Sequence, residues 1–317
     1  MRNYMTNNKK LMIGNVKIDN HFVLAPMAAI NCTSFRLLCK EQGAGLIYTQ
    51  MIDVDKLIKK DKSEIKDYLN ILDEERPVAV QLIGADIPNL LKAVKLIEPY
   101  ADIIDYNAGC ILEDYLAKGC GAVLLSDPDK LKEIVSALVK STSKPVTCKI
   151  RIGMSGQSIN GVNVCSLLEE CGVAAIAIHG RTIQQKYSKK SNWTIMKQIK
   201  EKVSIPIIAN GDVSSYAEGL ELLKKTGCDF VMIGREAQHA PWVFNSKFVK
   251  NNDNVLAEIH NFIEYYQKYE KRESVNELIQ HVYWMLRDIK TSLRTKWIYE
   301  CKSIDDVMNF LTRIDDK

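Results

Sequence analysis

Eight short apolar runs, separated by longer amphipathic stretches, limit the fold of this chain more than any other feature. They are FVLAPM (22–27), GLIYTQM (45–51), PVAVQLIG (77–84), DIIDYNAG (102–109), PVTCKIRIG (145–153), AAIAIHG (174–180), IPIIANGD (205–212) and FVMIGR (230–235). All are rich in Val and Ile and apolar at nearly every position. A strand with one wet face alternates apolar and polar residues, whereas a strand buried on both faces does not, and buried strands of this kind build parallel sheets. The stretches between them read as helices. SFRLLCKEQG (34–43) ends in Gly43, suited to a C-cap, and DPDKLKEIVSALVK (127–140) opens on Asp-Pro with apolar residues at helical spacing. WTIMKQIKEKV (193–203) runs closely into the seventh apolar run, as a short helix-to-strand link should. Eight β/α units in succession predict an α/β fold, a closed (β/α)8 TIM barrel. An open doubly wound sheet usually has fewer strands and opens on a GxGxxG turn, and none follows the first run. After residue 245 the pattern changes to NVLAEIHNFIEYYQKYEK, SVNELIQHVYWMLRDIKTSLRTKWIYE and IDDVMNFLTRI, amphipathic helices with no strand between them. The expectation is a barrel over residues 1–245 and a C-terminal all-helical domain over 246–317.

Composition narrows the class. With 46% hydrophobic and 26% charged residues the chain is neither disordered nor fibrous. No apolar run approaches the roughly 18 residues of a membrane span, and the N-terminal stretch lacks a signal-peptide core. Nine cysteines, an odd number without paired spacing, read as reduced thiols. The expectation is a cytoplasmic protein, monomeric, with no membrane contact. No CxxC or Cys/His spacing suggests a metal. A net charge of +4 permits a polyanionic partner without requiring one.

In a (β/α)8 barrel the active site lies at the C-terminal strand ends. Here those ends carry polar or special residues in turn: Pro26-Met27-Ala28, then Gln81, then Asn107 with Cys110 just beyond. Lys149 and Arg151 follow, then His179-Gly180-Arg181, Asn210-Gly211-Asp212 and Gly234-Arg235. Any one could be a turn residue, but their concordance points to a site. A lysine and an arginine alternating inside an apolar strand are costly unless an anion or a carbonyl-rich ligand meets them. Barrels commonly bind phosphate with the loops after strands 7 and 8. Gly211 and Gly234 would admit it closely, and Arg235 would add charge. A phosphorylated flat heterocycle across the barrel mouth is the expected ligand.

Together these motifs resemble the tRNA-dihydrouridine synthases, flavoenzymes that reduce specific uridines in tRNA. The matching stretches are APMA (25–28), FRLLCKEQGAGLIYTQM (35–51), VQLIG (80–84), DIIDYNAGC (102–110), VTCKIRIG (146–153), IHGRT (178–182), IPIIANGD (205–212) and VMIGREAQHAPWVF (231–244), in order over residues 11–245. Dihydroorotate dehydrogenases share the flavin barrel, but IHGRT and VMIGR…PWVF before a helical tail resemble the synthases better. The resemblance implies FMN as cofactor, NADPH or NADH as reductant and tRNA as partner. It implies that Pro26, Met27 and Ala28 pack on the flavin and that Gln81 and Lys149 meet its polar edge. His179, Asn210, Gly211, Asp212, Gly234 and Arg235 would hold the ribityl chain and phosphate, although Asn210 and Asp212 could instead only brace the turn. Asn107, Arg151 and Arg181 would face substrate, and Cys110 matches the catalytic cysteine. The chain departs from the family pattern at Ile111, where a proline is usual, in GCGA (119–122), in AINCTSF (29–35), and in KKSNW after Tyr187-Ser188.

The implied chemistry is reduction of the uracil carbon 5–carbon 6 double bond: a hydride to carbon 6, and a proton to carbon 5 from Cys110 as general acid. Cys120, between two glycines, reads as a packed core residue. Residues 246–317 carry equal numbers of basic and acidic residues. Their charge is patterned, with Arg287, Lys290, Arg294 and Lys296 at helical spacing against a single Asp288. Lys186, Lys189 and Lys190 add a second basic cluster. Both suit phosphate contacts that position RNA without reading sequence, and both could be solvated surface. Two other readings remain: a flavin barrel acting on a free pyrimidine, and an inactive RNA-binding relative.

Overall fold

The computed structural model describes residues 11–271, 274–289 and 300–315. All eight apolar runs contain parallel strands: β1 (Phe22–Leu24), β2 (Ile47–Tyr48), β3 (Val78–Ile83), β4 (Ile103–Ala108), β5 (Val146–Arg151), β6 (Ala175–His179), β7 (Ile207–Asn210) and β8 (Phe230–Ile233). From β2 onward each pairs with the next in sequence, and β8 pairs with β1. The ring closes between β1 and β2 through a Val23–Leu46 bridge, with Leu24 N–H on the Leu46 carbonyl at 3.0 Å and Gly45 N–H on the Phe22 carbonyl at 2.7 Å.

Helices follow the strands in turn: α1 (Thr33–Glu41), α2 (Lys62–Leu69), α3 (Ile87–Ile97), α4 (Pro128–Ser141), α5 (Gly161–Glu170), α6 (Trp193–Lys202), α7 (Tyr216–Thr226) and the short α8 (Arg235–His239). Their starts are written locally. Asp127 caps α4 by accepting from Lys130 N–H, with Pro128 in the first turn, and Asp86 caps α3 the same way from Asn89.

The two-residue alternation of a strand separates two cores. Val80, Leu82, Ile104, Tyr106, Cys148 and Ile150 face outward and join the helix layer. Val23, Tyr48, Ala79, Ile103, Ala175, Ala177, Ile208 and Met232 fill the lumen, together with Ile13 and Ile18 from the N-terminal hairpin. On β5 the same alternation gives Thr147, Lys149 and Arg151 to the inner face, so the charged pair in CKIRIG lies on the lumen side at the C-terminal mouth.

The tail supplies α9 (Asn252–Tyr269), α10 (Val275–Met285) and α11 (Ile304–Asp315). Helix α9 lies on α1, and the buried faces of the tail helices run into the barrel's outer core as one cluster. Glu270 accepts from Ser34 N–H and hydroxyl at 2.8 and 2.7 Å, and Asn70 donates to the Tyr269 carbonyl at 2.9 Å. The helix expected over 274–300 is not continuous. It ends at Met285, residues 286–288 form a 3-10 turn, and Ile289 is extended and buried. Leu286 and Ile289 are buried, and Arg287 lies in the 3-10 turn, outside helix α10. Lys290, Arg294 and Lys296 lie outside the described residues. No described helix is long and apolar enough to cross a membrane.

Candidate active site

The C-terminal mouth of the barrel is an open cavity of about 1790 Å³. Pro26, Met27 and Ala28 form one wall and Asn107 and Cys110 another. Between them come Lys149, Arg151 and His179, then Asn210, Gly211, Gly234 and Arg235. These residues come from six strand ends, and the sheet register explains their meeting. Asn107 is level with Lys149, Arg151 with His179, His179 with Asn210, and Asn210 with Met232.

Lys149 has no hydrogen-bond or ion-pair partner among the described residues. Burial pushes its pKa down to about 8, and neighbouring Arg151 pushes the same way. A lumen ammonium in this setting favours an acceptor-rich ligand.

Gln81 is not brought to the cavity wall. It is fully buried one layer deeper, donating from Nε2 to Asp105 Oδ2 at 2.6 Å and accepting at Oε1 from Asn107 Nδ2 at 2.8 Å. Asp105, which sequence reasoning passed over, also accepts from Thr147 Oγ1 at 2.5 Å. Burial lifts its pKa to about 6 although Thr147, Gln81 and Lys149 favour the charge. A carboxylate two residues before Asn107, inside an apolar strand and on its lumen face, was the available signal.

Arg181 and Arg151 are almost completely buried and largely committed to the protein. Arg181 Nη2 pairs with Asp212 at 2.6 and 2.8 Å, and its Nε donates to the Lys189 carbonyl. Arg151 donates to the carbonyls of Gly109, Thr182 and Lys186 at 3.1, 3.1 and 3.2 Å. Both thereby fix the 182–190 loop. Asp212 also accepts from Ser191 N–H and lies 3.4 Å from Arg235, so its carboxylate braces the turn. Asn210 braces it too, through Nδ2 to the Met232 carbonyl at 2.8 Å.

His179 Nε2 lies 3.2 Å from Arg181 Nη1. A guanidinium can only donate, so Nε2 accepts and the ring's proton sits on Nδ1. Burial, reinforced by Lys149, Arg151, Arg181 and Arg235, holds the ring neutral. Gly211 has φ of 126°, and a Cβ there would come within 2.6 Å of Ser191 Oγ. Only glycine fits that turn, and without a side chain it leaves the backbone open to a ligand.

Cys110 sits in a pinned loop. Asn107 Oδ1 accepts from Gly109 N–H at 3.0 Å and Cys110 N–H at 2.8 Å, and the Cys110 carbonyl accepts from Ala122 N–H at 2.8 Å. Gly121 lies against it at φ 73°, where a Cβ would come within 2.7 Å of the Cys110 carbonyl. The loop is thus held from both sides with Ile111 where proline is usual. Burial raises the Cys110 pKa, so the thiol is protonated near neutral pH. Cys120 is buried, donates to the Tyr115 carbonyl at 3.3 Å, and has its pKa pushed up to about 11 by burial.

Exposed Lys186, Lys189 and Lys190 rim the same cavity. Tyr187 stands there 55% exposed, its ring between Arg151 and Arg235 at 5.6 and 5.0 Å. Arg287 also lines the cavity and pairs with Glu236 at 2.6 Å, tying the tail to α8. Away from the mouth, Cys32, Glu277 and His281 place ligand-type atoms within 4.8 Å of one another. Cys32 and His281 are 249 residues apart, so no spacing could show the group. Within it, Cys32 Sγ and His281 Nε2 form a thiol–imidazole hydrogen bond at 3.7 Å.

A dihydrouridine synthase family model matches residues 23–315. The chain is 38% identical over 236 residues to tRNA-dihydrouridine synthase B of Klebsiella pneumoniae, covering 74% of this chain and 73% of that one. It is 38% identical over 234 residues to the protein of the same name from Pseudomonas aeruginosa, covering 73% and 70%. Among solved structures, histamine dehydrogenase from Rhizobium sp. 4-9 superposes with a TM-score of 0.56 at 14% identity, over 79% of this chain and 50% of that one. A variant of NCR from Zymomonas mobilis gives 0.56 at 16%, over 73% and 86%. These two likenesses show the barrel fold alone.

Proposed function

Because this chain belongs to the dihydrouridine synthase family, we propose that its barrel mouth binds FMN and that Cys110 protonates the substrate base. The reaction is flavin-dependent reduction of uridine in tRNA to dihydrouridine. The observation that carries the site reading is the meeting, in one cavity, of a lumen ammonium, Lys149, with a protonated thiol, Cys110.

The residues present fit a flavin mononucleotide. Lys149 favours an electron-rich partner, and the carbonyl edge of an isoalloxazine is one. His179 has its Nδ1 proton to give, while Gly211, Gly234 and Arg235 leave room and charge for a phosphate. Pro26, Met27 and Ala28 offer an apolar wall. FMN held here would supply a hydride for carbon 6 of the uracil. Lys149 offsets negative charge beside the base: although burial lowers its pKa, the value of about 8 leaves it charged at neutral pH. The Cys110 thiol delivers a proton to carbon 5, and Asn107 fixes the loop that presents it. Asn107 also faces the base, and buried Arg151 and Arg181 shape the 182–190 loop around it. NADPH or NADH would serve as the reductant.

A base inside folded tRNA must be unstacked to enter, at a cost of a few kcal/mol that RNA contacts must offset. Lys186, Lys189 and Lys190 at the rim, and residues 246–317 with Arg287, Lys290, Arg294 and Lys296, supply those contacts, the tail acting as the tRNA-gripping domain of a monomer.

The test is twofold. Purified protein should be yellow, with the oxidised-flavin band. Nucleoside mass spectrometry of tRNA from a deletion strain should show a dihydrouridine loss that the wild-type gene restores. Colourless protein that takes up no FMN, or an unchanged dihydrouridine content, would defeat the reading.

A further inference from the structure

The Cys110 loop hangs from a side-chain chain that begins in the barrel lumen. Asp105 accepts from Gln81, Gln81 accepts from Asn107, and Asn107 accepts from the two backbone N–H groups of Gly109 and Cys110. Each amide has one donating and one accepting end, so the direction of the chain is a choice. An ionised carboxylate can only accept. With Asp105 charged, Gln81 must turn its Nε2 inward and its Oε1 outward. Asn107 must then turn Nδ2 toward Gln81 and Oδ1 toward the loop. Were the inner end a donor, both amides would invert and Asn107 would aim an N–H₂ at two N–H groups.

We propose that Asp105 is a positioning residue for the proton donor: its negative charge sets the polarity of a two-amide relay through Gln81 and Asn107 that holds the Cys110 loop in shape. This rests on the reading of Cys110 as the acid. A carboxylate buried in the lumen, 0% exposed, is an expensive way to fill space. What it offers over an amide is that it accepts on every side. Thr147 takes the other oxygen, leaving Gln81 no alternative partner there. The remaining charged or titratable groups around Asp105 are Lys149 and Cys148 on β5 and Tyr48 on β2. Lys149 favours the carboxylate, and the buried Cys148 and Tyr48 stay neutral.

The proposal dictates a rescue. In Asp105→Asn, with Thr147 still donating to the one remaining side-chain oxygen, the amide nitrogen faces Gln81 and the relay inverts. Adding Asn107→Asp restores an acceptor at the loop, because the new carboxylate accepts both from inverted Gln81 and from the two N–H groups. Every polar atom of the relay is then satisfied with the charge at the other end.

The experiment measures alkylation of Cys110 by iodoacetamide, located by peptide mass spectrometry, in flavin-loaded protein without tRNA. Single-turnover reoxidation of the reduced protein by unmodified tRNA is measured beside it. Asp105→Asn should change the alkylation rate several-fold and slow reoxidation by about 10- to 100-fold, since a misplacement near 1 Å can cost about 10². The double variant should return the alkylation rate to within about twofold of wild type, because restored loop geometry leaves at most a misplacement well under 1 Å. Wild-type alkylation should shift as pH falls through about 6, and that shift should be absent in Asp105→Asn. Thr147→Val, which keeps the packing, should move the shift to higher pH. Wild-type behaviour of Asp105→Asn, or a folded double variant no closer to wild type than the single, would overturn the relay. Wild-type protein that tRNA fails to reoxidise would instead overturn the functional reading, which the alkylation comparison does not use.

Discussion

Replacing Lys149 with methionine should move two properties in opposite directions. Burial first, and Arg151 second, lower its pKa from 10.5 to about 8. At roughly 1.4 kcal/mol per unit, the flavin-free fold bears up to about 3 kcal/mol for keeping this ammonium charged. Below pH 8 the group is charged in folded and unfolded chains alike, and the folded chain carries the whole cost. Between about 8 and 10.5 the folded chain sheds the proton first, so the flavin-free protein should gain stability as pH rises across that window. An electron-rich ligand supplies a partner and draws the pKa back up. FMN affinity should therefore be highest near neutrality and decline as pH rises through about 8. Lys149→Met should be a few degrees more stable than wild type when stripped of flavin. It should bind FMN about 10- to 100-fold more weakly, the worth of a hydrogen bond to a charged group, and lose the pH dependence. Thermal melts of flavin-free protein and fluorescence titration with FMN at about pH 7 and pH 9, either side of the shifted pKa, read both quantities. A variant that held FMN as tightly as wild type with the same slope against pH would refute the assignment.

Gly211→Ala should strain the turn after β7, since φ of 126° and Ser191 Oγ at 2.6 Å leave no place for a methyl group. A loss of about 1–3 kcal/mol together with poor flavin retention is expected by melting and absorbance. Arg181→Lys should loosen the 182–190 loop. Burial opposes the Asp212 charge, but Arg181 and Ser191 outweigh it and depress that pKa, so the stabilisation is present above about pH 4 and fades as pH falls. The variant should lose of order 1 kcal/mol at neutral pH and little under acid, read by denaturant melts at about pH 7 and pH 3, above and below the ordinary carboxylate range. Reversing Lys186, Lys189 and Lys190 to Glu should weaken tRNA binding and flatten its dependence on salt while leaving the protein yellow. Reversing Lys290, Arg294 and Lys296 should do the same. Arg287 is left out because its ion pair with Glu236 anchors the tail, and a salt titration unchanged in both variants would mark the clusters as plain surface.

The barrel was legible because its strands are buried on both faces, which shows in sequence as unbroken apolar runs. Lys149 and Arg151 stood out for the same reason, as charges two apart in such a run. The relay did not, because its links join residues 24 and 26 positions apart on neighbouring strands. A lone Gln81 reads as a group waiting for a ligand, and only the register shows that Asp105 and Asn107 already occupy it. The ion pair of Arg181, which lines the cavity, with Asp212 was not legible either, because Asp212 comes a full β/α unit later. The tail helix was drawn too long because apolar spacing continues through Leu286 and Ile289. Both are indeed buried, but Leu286 in a 3-10 turn and Ile289 as the extended residue after it.

One half-reaction isolates proton donation from Cys110 to the base. Reduced, flavin-loaded protein is mixed anaerobically with excess unmodified tRNA, and flavin reoxidation is followed in a single turnover for wild type, Cys110→Ala and Cys120→Ala. Wild type and Cys120→Ala should reoxidise rapidly. Cys110→Ala should be slowed by about 10² to 10⁴ with its flavin content and its reduction by NAD(P)H intact. Reoxidation of Cys110→Ala at the wild-type rate would contradict proton donation by Cys110.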